Sequence, residues 1–339
     1  MGNNMGFRND TGTISAIPYA VLVLVIFGLF LIGMGPVIDE IVSVDNQMMG
    51  MATVTTSPPT PTPTATPVPT PDPGQIAAGA EHALHLTGAG TLVEWGRSGY
   101  QAGNHIDGSD IDMVAASWGH SFALRNDGTV IEWEAGDYDN YYSPLNSPQD
   151  GNVVAISGGG VHALALLNDG TVVGWGEDRG QATPPAGLTD VVAIAAGYGH
   201  SLALKGDGTV VGWEDDGYGP ATPPSGLAGV TAIATGWAHS LALKSDGTVV
   251  AWGDNDYGQS SPSPGLSGVT AIAAGWDHSL ALKSDGTVVA WGKNSDGQCS
   301  VPPGLDHVVM IAASPMGSYS LALTADGEVV QWGSMELLL

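Results

Sequence analysis

Seven copies of a unit close to 39 residues long, each with a His or Tyr thirteen residues ahead of a Trp, predict an all-β fold: a seven-bladed β-propeller over residues 75–339. Composition agrees. Gly 50 and Pro 22 favour turn-rich β architecture over helices, and ten Trp against four Phe suggest one structural Trp per unit. Ahead of the propeller, four segments are read: a polar leader (1–13), an apolar membrane-spanning helix (14–38), a juxtamembrane segment (39–56) and a Thr/Pro-rich stalk (57–74).

The repeat is carried by fixed offsets. His82 precedes Trp95, His120 precedes Trp133, His162 precedes Trp175, His200 precedes Trp213, His239 precedes Trp252 and His278 precedes Trp291, while Tyr319 stands in for His ahead of Trp332. Successive Trp lie 38, 42, 38, 39, 39 and 41 residues apart. Within a unit, VTAIAAG, HSLALK and TVVAW read as three short strands, and Asp207-Gly208, Asp246-Gly247 and Asp285-Gly286 as tight hairpin turns. A fourth strand is expected from the segment after Trp, such as GQCSVPPGL, whose prolines confine it to an outer edge. The last unit stops soon after Trp332, so the end of the stalk, where residues 65–69 (ATPVP) echo 182–185 (ATPP), is expected to complete the last blade.

These units resemble the regulator-of-chromosome-condensation repeat, through G-x-x-H-S-x-A-L, D-G-T-V and W-G followed by Gly-Gln, as in Trp252-Gly253 with Gly258-Gln259. The resemblance covers residues 75–339. The units are shorter than those of the eukaryotic chromatin protein and look more like those of secreted bacterial relatives, among them a beta-lactamase inhibitor. It implies a protein-interaction platform. Nucleotide exchange on a small GTPase, known for the chromatin protein, is not carried over.

Residues 14–38 hold no charged side chain, and at ~1.5 Å per residue they exceed the ~30 Å core of a bilayer. A cleaved signal would have a shorter apolar run and a small-x-small site, whereas Asp39 and Glu40 follow directly, so an anchor is expected. Arg8 before the span and acids after it place the amino terminus in the cytoplasm and the rest outside, a single-pass protein of the cell membrane. The alternative is a type IV pilin-like leader ending at Gly12, whose helix would self-assemble into a filament core with the propeller as its head. Against that stand Thr11 where such leaders carry Lys or Arg, and the lack of Glu at the fifth mature position. The stalk sequence SPPTPTPTATPVPTPDP favours polyproline II, a spacer of roughly 50 Å at ~3.1 Å per residue, with Thr hydroxyls open to glycosylation.

The formal charge is −26, and from residue 75 onward 29 acids face 7 bases. Without a basic stripe, nucleic acid is excluded as a partner. One cysteine, Cys299, excludes an intrachain disulfide, and its place in a small-residue slot shared with Ala182, Ala221 and Ser260 suggests a buried thiol.

The seven His or Tyr and the seven Trp are distributed one per blade, so they are read as structural positions and not as one metal site. Recognition is sought where units differ. Two residues before the His slot stand Trp118, Tyr198, Trp237 and Trp276, against Ala80, Gly160 and Gly317 elsewhere; on loops of one face they would form an aromatic arc for a protein or glycan. Five residues after Trp, Tyr100, Tyr138, Tyr218 and Tyr257 recur beside acids such as Glu214, Asp215, Asp216, Asp254 and Asp256, a secondary rim. Asp254-Asn255-Asp256 offers alternate oxygens for calcium but lacks the downstream bidentate Glu, so no metal is assigned. No nucleophile elbow, zinc-protease or phosphate-loop motif occurs, and neither a catalytic residue nor a cofactor is expected. The sequence thus reads as an anchored extracellular binding or adhesion module.

Overall fold

The computed structural model describes residues 73–96, 108–134, 147–149, 151–214 and 221–335. The leader, the apolar segment 14–38, the juxtamembrane segment and the stalk up to residue 72 lie outside the described residues, as do Tyr100, Tyr138 and Tyr218. No described helix is long and apolar enough to cross a membrane.

Seven sheets follow one another along the chain: blade 1 at residues 75–96, blade 2 at 111–134, blade 3 at 153–176, blade 4 at 191–214, blade 5 at 230–253, blade 6 at 269–292 and blade 7 at 308–334. Each has three antiparallel strands in sequence order. In blade 5 the pairing sets Ser240 opposite Trp252 and Leu241 opposite Ala251, and every other blade keeps this register. The middle strand His239–Lys244 is buried on both faces except at Lys244, because a neighbouring blade covers each side. In blades 2 to 7 the first strand carries a one-residue bulge, as between Val230 and Ala232; blade 1 lacks it.

One local expectation is borne out in a longer form and another is corrected. The Asp-Gly hairpins form, with three-residue loops. Lys205 N–H bonds the Thr209 carbonyl and Gly208 N–H bonds the Lys205 carbonyl, each at 2.9 Å, so the connection has three residues, Gly206, Asp207 and Gly208. Only Gly208 takes a left-handed φ, of 81°, as expected of a type I turn closed by a bulge glycine. The Asp207 carboxylate fastens the turn by accepting from the Thr209 N–H (3.0 Å) and hydroxyl (2.6 Å). No fourth strand is present among the described residues. The segment after Trp turns back where Leu188 N–H bonds the Pro185 carbonyl (3.1 Å) and Gly187 takes a φ of 80°. Proline has no N–H to donate to a ladder, and the segment instead packs a buried glutamine, Gln181, Gln259 or Gln298, against the blade.

The core lies between blades. One cluster joins Ala193, Ala195, Leu202 and Leu204 of blade 4 to Val230, Ile233, Ala242 and Trp252 of blade 5, and similar clusters fill the other seams. The first strands of all seven blades surround one axis, contributing Ala78, Ala116, Gly158, Ala196, Thr235, Ala274 and Ala313 to a channel with ≈ 60 Å³ of room. That volume holds a water or two, far below the ~300 Å³ of a small ligand site.

Blades 7 and 1 close the ring. Ile76, Ala78 and Ala83 share a buried cluster with Met310, Tyr319 and Leu321, and Trp95 Nε1 donates to Gln331 Oε1 at 2.9 Å. The described end of the stalk, Pro73, sits 4.0 Å from where a Cβ would stand on Gly327 in the blade 7 hairpin. The stalk residues expected to complete that blade lie outside the described residues.

Candidate functional site

The recurrent His and Trp belong to the seams. His162, His200, His239 and His278 are fully buried, and the Nε2 of each lies 2.8 to 3.0 Å from a Ser hydroxyl of the next blade: Ser201, Ser240, Ser279 and Ser320. The hydroxyls of Ser201, Ser279 and Ser320 donate at 2.8 to 3.0 Å to the backbone carbonyls of Gln181, Gln259 and Gln298. Those carbonyls also accept from Trp213, Trp291 and Trp332 Nε1. Because the protons of Ser201, Ser279 and Ser320 go to these carbonyls, His162, His239 and His278 must donate through Nε2. Burial pushes the imidazoles down, to about 4 at His200 and His278 and about 3 at His162 and His239, so they stay neutral and engaged in their own seams. Among the described residues no three His, Cys, Asp or Glu side chains converge as metal ligands would.

Between blades 4 and 5 only the His200–Ser240 contact of this pattern lies within the described residues, Pro220 standing in the sequence where the units of blades 3, 5 and 6 have Gln, and three further seams depart from the pattern. Between blades 1 and 2 the Glu94 carboxylate replaces the glutamine carbonyl, accepting from Ser121 Oγ (3.0 Å) and Trp133 Nε1 (3.1 Å). Between blades 7 and 1 the Ser is absent, since Ala83 holds its place, and the Tyr319 hydroxyl reaches the carbonyls of Gly79 (2.7 Å) and His82 (2.6 Å). Between blades 2 and 3 Ala163 again lacks the hydroxyl, and His120 Nδ1 faces Glu132 of its own blade at 3.3 Å. The Ser after His and the Gln after Gly entered the sequence analysis only as motif letters without a role, and the Glu or Gln before Trp was not singled out. All three signals are visible in the aligned units, where Ser drops out at positions 83 and 163 and an acid or amide stands at 94, 132 and 331.

The aromatic positions lie on the loops between first and second strands, at one end of the ring. Tyr198, Trp237 and Trp276, from blades 4, 5 and 6, form one stack: Tyr198 and Trp237 are parallel to 8° with ring centres 3.7 Å apart, and Trp237 and Trp276 are at 21° and 5.0 Å. Each ring is half-buried. Gly160 of blade 3 makes room for the stack, because a Cβ there would fall 2.5 Å from the Tyr198 ring. Trp118, in blade 2, stands beyond Gly160 and outside this stack, so three of the four predicted residues come together.

At its blade 6 end the stack is continued by charge. Lys293 Nζ lies 5.7 Å from the Trp276 ring centre and 5.0 Å from that of Tyr257, and 3.3 Å from the Asp277 carboxylate. Burial raises the Asp277 carboxyl above its ordinary value against the pull of Lys293, and nearby Asp254 and Asp256 add to the rise. Tyr257 is 52% exposed, the only rim tyrosine within the described residues. The neighbouring loop uses its oxygens internally: Asp254 accepts from Asp256 N–H (3.2 Å) and Gln259 Nε2 (3.0 Å), and Asn255 Oδ1 from Ser260 N–H (3.0 Å). They serve as loop fasteners there. Cys299 is half-buried, its Sγ donates to the Lys293 carbonyl at 3.1 Å, and burial pushes its thiol up to about 12, so it is inert at neutral pH. Ser260 makes the same bond in blade 5, to Asp254 at 2.6 Å.

Comparison with known proteins follows the same geometry. The ring is similar to the ectodomain of the receptor kinase ACR4 of Arabidopsis thaliana, with a TM-score of 0.62 and 19% identity over 76% of this chain and 96% of that one. It is similar as well to the ectodomain of the receptor kinase CR4 of Physcomitrella patens (TM-score 0.61, 20% identity, 76% and 73% covered). Prp20p of Saccharomyces cerevisiae, a protein described by its binding to Gsp1p and histones, gives a TM-score of 0.59 at 19% identity, with 73% and 81% covered. No curated protein matches the chain by sequence. Residues 153–181, 191–219, 230–259 and 269–298 match the model of the regulator of chromosome condensation (RCC1) repeat, so blades 3 to 6 of this chain carry RCC1 repeats.

Proposed function

We propose that the chain is a membrane-anchored display protein whose propeller captures a protein partner outside the cell, and that it binds without catalysing. The observation that carries this reading is the stack of Tyr198, Trp237 and Trp276 across three blades. Identical blades need no such residues, as Ala80, Gly160 and Gly317 show at the same positions. Large rigid aromatics held in place are the usual anchors of protein interfaces. The stack also favours protein over glycan as the partner. A sugar needs an open ring face, and both faces of Trp237 are covered by its neighbours, which leaves edges and an apolar ridge for a protein surface. Support for display comes from the charge-free run 14–38 and the Thr/Pro stalk, and the likeness to two receptor-kinase ectodomains is in keeping with it.

Capture of partners by the solubilised full chain tests the reading against a variant carrying Trp237→Ala and Trp276→Ala. The expected outcome is loss of the partner by at least about tenfold at an unchanged melting temperature, as hot-spot truncations of about 2 kcal/mol produce. Equal capture by both proteins would remove this aromatic ribbon, the stack of Tyr198, Trp237 and Trp276, from the interface. Deletion of residues 14–38 is expected to release the protein from membranes, and protease added to intact cells is expected to shave off the propeller. A mature amino terminus at Thr13 would instead assign the helix to a filament.

A further inference from the structure

We infer that the partner docked on the aromatic ribbon is a cationic protein segment, whose Arg or Lys is taken up by Asp256 while its aliphatic stem lies along Tyr257 and the edges of Trp276 and Trp237. The inference rests on the ribbon reading above and adds the partner's chemistry. Three observations support it.

Asp254, Asp256 and Asp277 gather at the blade 6 end of the ribbon against the single base Lys293, whose ammonium is already engaged by Asp277. Asp256 itself is exposed and next to the exposed ring of Tyr257. The second observation is that the site accommodates a cation already: Lys293 stands over two rings, Tyr257 and Trp276, at 5.0 and 5.7 Å, which is the arrangement a cation and an aromatic face prefer. An incoming side chain would extend this pattern outward, its stem on apolar ring and its charge on carboxylate. The third is long-range. With 29 acids and 7 bases from residue 75 onward, the propeller's field draws in basic surfaces and repels acidic ones before contact. An acidic partner would meet repulsion both at a distance and at Asp256.

The test uses the solubilised full chain and three labelled probes: an Arg/Lys-rich peptide, a Glu-rich peptide of equal length, and a neutral oligosaccharide. Binding of the basic peptide alone is expected. Asp256→Lys should weaken it by about tenfold, Asp306→Lys on the opposite end of the ring by less than about twofold, and raising salt from about 50 to about 500 mM should weaken it severalfold. Trp237→Ala should weaken it as well, which ties the peptide to the ribbon and not to the general acidity. Equal losses at Asp256 and Asp306 would reduce the binding to nonspecific charge and overturn the proposal, as would equal affinity for the Glu-rich peptide or the oligosaccharide. If Trp237→Ala abolishes capture of the native partner while Asp256→Lys leaves it intact, the ribbon stands as the interface and the cationic partner falls. If neither variant changes capture, both readings fall.

Discussion

At the scale of single residues, the seams between blades 3 and 4, 5 and 6, and 6 and 7 are each a short relay in which one blade's His, the next blade's Ser and Trp, and a glutamine carbonyl saturate one another. The His and Trp of this relay were legible as recurring letters, but their role was not, because a repeat shows which residue returns and not which neighbour it meets. The exception at Tyr319 is explained by its partner. Blade 1 offers Ala83 in place of Ser, and a phenol reaches past the missing hydroxyl to the carbonyls of Gly79 and His82. Tyr319→His alone should therefore leave buried polar groups unmatched and cost about 2 kcal/mol. Adding Ala83→Ser offers the new imidazole the hydroxyl that His162 meets in the seam between blades 3 and 4, and is expected to recover about half of the loss. Denaturant melts of the two single variants and the double measure the coupling; strictly additive effects would show that residues 83 and 319 do not act as a pair.

The elements show why strands were read correctly and their connections less so. Alternating small and aliphatic residues in VTAIAA and HSLALK force strands wherever two blades enclose them, and the described strands begin and end within a residue or two of that pattern. A turn depends on φ at single residues, and Asp-Gly is compatible with both a two-residue and a three-residue hairpin until the preceding residue is placed. The segment after Trp looked like an edge strand because Pro is tolerated there; proline followed within two residues by a left-handed glycine, as at Pro185-Ala186-Gly187 and Pro264-Gly265, made it a turn instead. The observed hairpin separates two glycines of blade 4. Gly208, at φ 81°, should cost about 1 to 2 kcal/mol when changed to Ala, since a Cβ is strained in the left-handed region. Gly206 has 3.6 Å to its nearest neighbour and ordinary φ, and Ser245 and Ser284 occupy its place in blades 5 and 6, so Gly206→Ser should leave the melting temperature unchanged. A comparable loss in both variants would contradict the turn assignment.

On the scale of the whole molecule, stability is shared among seams, and the seams share one chemical vulnerability. The ring and its count of blades were legible because every unit repeats the same offset; the stack across blades 4 to 6 was only half legible, since sequence gave the rings a common face but not that they would cover one another. Burial holds His82, His200 and His278 at about 4 and His162 and His239 at about 3, below the value of about 6.5 in an unfolded chain. Their contribution is complete above pH 6.5. As pH falls from there toward 4, the unfolded chain gains protons that the folded ring refuses, so stability drops by on the order of 1 kcal/mol per pH unit for each imidazole. Relief of repulsion among the carboxylates works the other way, but they take up protons mainly near pH 4, below most of this window. Between pH 7 and pH 5 the histidines therefore dominate, and the melting temperature is expected to fall steeply and cooperatively, because a protonated His in any one seam opens a ring whose seven seams close on each other. Thermal melts at half-unit pH steps measure this, and replacing His200 with Gln should flatten the slope by about one proton's worth. A melting temperature constant between pH 7 and pH 5 would mean that the imidazoles titrate freely in the folded ring, against their burial.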